Sequence, residues 1–317
     1  MSKKVLVTGA AGFIGSNLCI ELLKRNYSVV GIDNFLADSY SPILKKKNLS
    51  SIALMQSKKD FEFQEFDLRH DNYDVLDRDF DYVVNEAAMP GLPQSWSNFE
   101  AYASNNLIGL QKLIEWAKDT SLHKFVQAST SSVYGKNAIT DEGGETKPFS
   151  PYGVTKLAAE NLLLSYEANF ELPIHILRYF SVYGPGQRPD MAYARIIESL
   201  VNDLEFPKFG DGNQSRSNTF VGDIVDATIL AMTCEKTKNI MNICGDESAS
   251  LNEVIDILER YSGKKLIVRE YPDRPGDQKH TAGINSLAKR ELGWQPRTNL
   301  LEGISLQYQH ARKALAT

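Results

Sequence analysis

Tyr152 and Lys156 stand four residues apart in Pro151-Tyr152-Gly153-Val154-Thr155-Lys156, which puts a phenol and an ammonium on one helical face. A cation so placed lowers the phenol pKa and yields a phenolate near neutral pH, a general base for an alcohol. Ser129-Thr130-Ser131-Ser132 closes an apolar run with hydroxyls able to bind that alcohol. Near the start of the chain, Thr8-Gly9-Ala10-Ala11-Gly12-Phe13-Ile14-Gly15 spaces three glycines by three. Side chains at those points would obstruct a pyrophosphate approaching a helix N-terminus, where backbone N–H groups and the helix dipole hold phosphate. Asp33 lies 18 residues past Gly15, placed to accept hydrogen bonds from a ribose 2′-hydroxyl and to repel a 2′-phosphate. The next residue, Asn34, is uncharged, so NAD is favoured over NADP.

These residues need a frame. Residues 5–7 form a short β-branched run, the glycines end it, and Ile14, Leu18 and Leu22 recur at spacing four. With a second apolar run at 29–33, this is a βαβ unit. Further strands are expected at 61–63, 82–84, 125–128 and 174–177, with helices over 106–117 and 156–169 between them. That alternation predicts an α/β fold of Rossmann type, a doubly wound parallel sheet over residues 1–182 that carries Tyr152 and Lys156. After about Tyr183 the alternation weakens and Gly-Pro-rich loops separate short helices, over 251–261 behind Ser250 and over 301–314 among them. Residues 183–317 are therefore expected to form mainly a smaller α/β substrate lobe, with the chain crossing back to the first lobe around 215–250. Lys45-Lys46-Lys47 reads as a solvated face, and the apolar stripe Leu107, Leu110, Leu113, Ile114 and Ala117 as packing on the sheet.

Composition narrows the function. The 317 residues carry 35 Lys and Arg against 40 Asp and Glu, a net charge of −5, the wrong balance for binding nucleic acid through its phosphates. No apolar run approaches a membrane span, and the start Met1-Ser2-Lys3-Lys4 leads into too short an apolar stretch for a secretory signal. Cys19, Cys234 and Cys244 have no CxxC spacing and the five histidines no metal spacing, so the expectation is a cytoplasmic protein with no membrane, nucleic-acid or metal partner.

Together with Ser129-Thr130-Ser131-Ser132-Val133-Tyr134-Gly135 and Leu177-Arg178-Tyr179-Phe180, these motifs closely resemble the NAD-dependent epimerase/dehydratase family of extended short-chain dehydrogenases. Within it the chain looks most like the UDP-sugar 4-epimerases, especially those acting on UDP-glucuronate. The resemblance implies that Tyr152 is the base, that Lys156 binds the nicotinamide ribose and tunes Tyr152, and that Thr130 contacts the sugar hydroxyl. It implies NAD as cofactor, held by Gly9, Gly12, Phe13, Ile14, Gly15, Asp33, Asn34, Asp67, Leu68 and Ala87, with Asp67 at the adenine. It also implies a UDP-sugar bound by Ser131, Ser132, Arg188, Arg216 and Arg274, the last two neutralising its diphosphate. A homodimer formed by four-helix packing follows by analogy.

The chain departs from the family at informative points. Sugar 4,6-dehydratases usually carry an Asp-Glu pair after the threonine, and Ser131 and Ser132 cannot exchange protons at neutral pH. That favours epimerisation. The alternative is a dehydratase or 5-epimerising isomerase of a UDP-GlcNAc-derived 4-keto sugar, with Lys136 as its acid or base. Glucuronate epimerases usually have an arginine where Pro93 stands, which leaves Arg188 as the candidate partner of a sugar carboxylate. Ser181 replaces a frequent asparagine and Ser217 a frequent aspartate. A non-catalytic NAD-binding regulator is the reading of a different class, and the intact Tyr152 and Lys156 argue against it.

Overall fold

The computed structural model describes residues 2–37, 40–54, 60–235, 239–273 and 278–315. Its frame is a parallel sheet of β1 (Lys4–Thr8), β2 (Ser28–Asp33), β3 (Phe61–Glu65), β4 (Tyr82–Asn85), β5 (Lys124–Thr130), β6 (Ile174–Tyr179) and β7 (Ile240–Ile243), ordered β7-β6-β5-β4-β1-β2-β3. The winding reverses between β1 and β4, and ligands of such sheets bind at the carboxyl ends of the strands beside that switch.

β1 is buried on both faces, which is why its apolar run is unbroken. Val5 and Val7 join Leu18, Leu22, Val84 and Ile224 in the core on one face. Leu6 points the other way, among Val83, Leu113, Ile114, Phe125 and Leu163. The first face is covered by α1 (Phe13–Lys24), with α2 (Pro42–Ala53) beside it. On the second face the chain winds as a π-helical turn, Ser104–Gly109, before continuing as α3 (Leu110–Ala117). The sheet covers the stripe Leu110, Leu113, Ile114 and Ala117.

The wide turn carries Asn106, whose side chain bonds both the N–H (2.7 Å) and the carbonyl (3.1 Å) of Met89 and also Thr155 Oγ1 (3.0 Å). It thereby ties the loop after β4 to α4 (Pro151–Phe170). α4 starts where Ser150 Oγ accepts from the Gly153 N–H at 3.1 Å and Pro151 takes the first position, which needs no donor.

The second lobe has its own core, in which Tyr193 and Ile196 of α5 (Ala192–Asn202) meet Phe206 and residues of the two closing helices. α6 (Val221–Thr233) leaves that lobe and packs beside α1, and β7 then completes the sheet next to β6. The chain returns to the second lobe with α7 (Leu251–Ser262), introduced by a Ser250/Glu253 capping box, and ends in α8 (Leu300–Leu315).

Candidate active site

A cleft of about 440 Å³ opens at the carboxyl ends of the strands. Its floor is the glycine turn. Gly9 has φ +66°, and a Cβ there would lie 2.9 Å from the Ala87 nitrogen; at Gly15 one would lie 2.2 Å from the Gly9 carbonyl oxygen. Gly12 caps α1 without offering a side chain to the helix N–H groups. The first donors of α1 therefore face the cleft, ready for an anion. Phe13, Ile14 and Ala87 line the same floor.

At the β2 end, Asp33 is buried and its Oδ1 accepts from the Phe35 N–H and from Lys45 Nζ, both at 2.8 Å. Lys45 is thus no part of a solvated face. Its ammonium is a buried partner of Asp33, because α2 turns Lys45 and Ile52, one heptad apart, toward the body of the protein. Asp67 accepts from Arg69 Nε (2.9 Å) and Nη2 (2.6 Å) and from Asn34 Nδ2 (3.1 Å), which hold its carboxyl well below the usual range. Asn34, Asp67 and Leu68 all line the cleft.

The other end gathers Thr130, Ser131, Ser132, Tyr152, Lys156 and Arg188. Burial pushes the Tyr152 phenol up, while a hydrogen bond with Thr130 and the Arg188 charge pull it down. Arg188 is held by a two-point contact with Asp190, at 2.9 and 2.7 Å. Lys156 Nζ donates to the Ala128 carbonyl at 2.6 Å, at the strand end of β5. Burial lowers Lys156 itself to about 8, against the charges of Glu86 and Glu160.

Residues 5–244 match the model of the NAD dependent epimerase/dehydratase family. The chain belongs to this family. It is 41% identical over 306 residues to an uncharacterized UDP-glucose epimerase, YtcB, of Bacillus subtilis, covering 95% of this chain and 96% of that one. It is 36% identical to a UDP-glucuronate 4-epimerase of Thermodesulfobacterium geofontis, over 94% of this chain and 93% of the relative. Among solved structures, the UDP-glucuronic acid 4-epimerase of Bacillus cereus in complex with UDP-glucuronic acid and NAD superposes with a TM-score of 0.94 at 41% identity, over 98% and 99% of the two chains.

The family is NAD-dependent, and the residues present fit that cofactor: the glycine cradle would be filled by any Cβ, the α1 donors are unclaimed by a cap, and Asp33 is a buried acceptor at the cleft, steadied by Lys45. Arg216 lines the cleft and also a second recess of about 190 Å³, with Tyr193, Phe206 and Phe209. Lys136, the acid or base of the dehydratase alternative, does not line the cleft. Gly135, at φ +84° and backed against the Lys147 carbonyl, turns the chain outward and leaves the Lys136 side chain exposed. Arg274 lies outside the described residues.

Sequence reasoning missed Lys45, Glu86 and Gln278, all of which line the cleft. Only Lys45 left a signal, its heptad relation to Ile52. Beneath the reacting end lies a buried network: Arg178 makes three hydrogen bonds to Glu160, at 3.0, 3.2 and 2.6 Å, and donates to Tyr134 Oη at 2.8 Å, while Ser129 also binds Glu160. It fixes the end of β5, and so Thr130, against α4.

Proposed function

We propose that this protein is a UDP-hexose 4-epimerase, with UDP-glucuronate and its 4-epimer as the leading pair. One observation carries the reading: Thr130, Tyr152 and Arg188 meet around one phenol in the cleft that the glycine turn floors. Tyr152 takes the proton of the sugar 4-hydroxyl and later returns it to the carbonyl oxygen of the 4-keto sugar, once that sugar has turned its other face to the cofactor. Bound NAD supplies the hydride acceptor and, on return, its donor. Thr130 orients the hydroxyl, Lys156 holds the nicotinamide ribose, and Arg188 offers its guanidinium to the sugar carboxylate in place of the arginine absent at Pro93. Arg216 and Arg274 neutralise the diphosphate. Ser131 and Ser132 give carbon 5 no group able to exchange protons at neutral pH, so elimination is not promoted.

In this reading residues 1–182 form the cofactor half and residues 183–317 mainly the nucleotide-sugar half. A homodimer is part of it, supported by Trp96, Phe99, Ile108 and Val154, apolar yet exposed on the helical segments around the π turn and α4. A cytoplasmic setting is supported by three free cysteines. No helix among the described residues is long and apolar enough to cross a membrane.

The test is incubation of the purified protein with UDP-glucuronate, UDP-glucose and UDP-GlcNAc, with products resolved by NMR. The expected outcome is the 4-epimer of at least one, with no net consumption of NAD. A 6-deoxy-4-keto or 5,6-unsaturated product without any 4-epimer overturns the reading.

A further inference from the structure

Three acidic side chains line the cleft among the described residues: Asp33, Asp67 and Glu86. Asp33 and Asp67 each face a cation, at 2.8 and 2.6 Å. Glu86 has no ion pair among the described residues. Tyr179 Oη donates to its Oε1 at 2.8 Å and is itself held 2.8 Å from Thr228 Oγ1, and its other oxygen has no hydrogen-bond partner among the described residues. The residue follows β4 directly, and its backbone carbon is 3.0 Å from where a Cβ on Gly9 would stand. It therefore lies beside the glycine floor in the cleft that Tyr152 and Lys156 also line, and both of those groups feel its charge.

We propose that Glu86 sets the charge at the redox end of the NAD site: ionised, it favours the cationic oxidised cofactor, and protonated, it favours the neutral reduced one. The proposal deepens the reading above, since it takes Tyr152 to mark the reacting end, but it does not depend on which sugar is bound. A hydride's arrival removes the ring's positive charge, so a carboxylate nearby stabilises the state before transfer and not the state after it. The groups facing Glu86 are Lys156 and Tyr152 from α4, Tyr179 from β6 and Cys19 from α1. Lys156 is the cation of that set, and its ammonium is turned to Ala128. Burial raises Glu86 to about 7, with the Tyr179 hydrogen bond and the Lys156 charge opposing, so its charge changes within the working pH range.

The experiment titrates the full chain, freed of copurified nucleotide, with NAD and separately with NADH between pH 6 and 8.5, following binding by calorimetry and NADH fluorescence. In the parent, the ratio of the NADH to the NAD dissociation constant is expected to rise on the order of tenfold, centred near pH 7. In Glu86→Gln that step vanishes and NADH binds relatively tighter at pH 8; in Glu86→Gln/Lys156→Met, which also removes the Lys156 titration that the loss of the Glu86 charge moves downward, the ratio is flat. Tyr179→Phe, which removes the donor that holds Glu86 ionised, moves the step to higher pH. A flat ratio in the parent, the same step in Glu86→Gln, or a step unmoved in Tyr179→Phe overturns the proposal. Because the readout uses cofactor alone, a failure of the 4-epimerase reading is seen separately, in the sugar assay.

Discussion

The two ends of the cleft handle charge in opposite ways. At the β2 end every carboxylate meets a partner: Asp33 has Lys45 and the Phe35 N–H, and Asp67 has Arg69 and Asn34. Arg69 and Asn34 hold the Asp67 carboxyl well below the usual range, as suits a surface that must only bind. At the Tyr152 end, Lys156 and Glu86 are desolvated and have neutral hydrogen-bond partners but no ion pair among the described residues, and burial moves them to about 8 and about 7. A reaction that passes a proton at neutral pH needs groups that are close to titrating, and the fold provides them by withholding ion pairs. The lesson is that binding and reactivity draw on the same residue types under different degrees of satisfaction.

That contrast can be broken or sharpened by substitution. Tyr152→Phe is expected to have the largest effect, lowering turnover about 10²–10⁴-fold while NAD binding is retained; NMR of the sugar products measures it, and parental rates would undo the assignment of the base. Next comes Glu160→Ala, which strands the Arg178 guanidinium in the core and is expected to cost about 3–5 kcal/mol in urea unfolding. Its contact with Arg178 is nearly fully buried, unlike the surface pairs, so the loss should be insensitive to salt.

Lys156→Met should move stability the other way. Lys156 keeps its ordinary value near 10.5 when unfolded and falls to about 8 in the fold, so the unfolded state binds more protons between those values. Stability therefore rises with pH across 8 to 10.5, and below 8 the fold carries the full penalty. The methionine variant is expected to be about 2–3 kcal/mol more stable at pH 7 and to lose that rise, at the expense of activity. Thermal unfolding at pH 7 and 10 checks both. The smallest effect is expected at the satisfied end: Lys45→Ala leaves Asp33 without its cation and should weaken NAD binding by about 1 kcal/mol, read by calorimetry. A stabilised Lys45→Ala protein would show that the two ends do not differ as described.

Much of the site was legible because its signals are local. The glycines act at spacing three within one turn, Tyr152 and Lys156 at spacing four on one helix, and Asp33 at the end of the strand that follows. The parallel sheet was legible for the same reason, since each buried strand is a short apolar run between helices. Lys136 was misjudged because one glycine at positive φ decides which way a loop side chain faces. The π turn before α3 was invisible because its apolar periodicity differs little from that of an α-helix over one turn, and it is held by Asn106 reaching Met89 and Thr155.

By itself, the sequence determined the family, the cofactor class and the doubly wound sheet, since these follow from hydrogen-bonding and packing patterns that close within a few residues. Tertiary structure alone decided that Arg188 and Thr130 come to the Tyr152 phenol, that Lys45 turns inward to Asp33, and that Glu86, held by Tyr179, has no ion pair among the described residues. Electrostatic coupling depends on distance and desolvation between segments far apart in the chain, and neither quantity exists until the strands are assembled side by side.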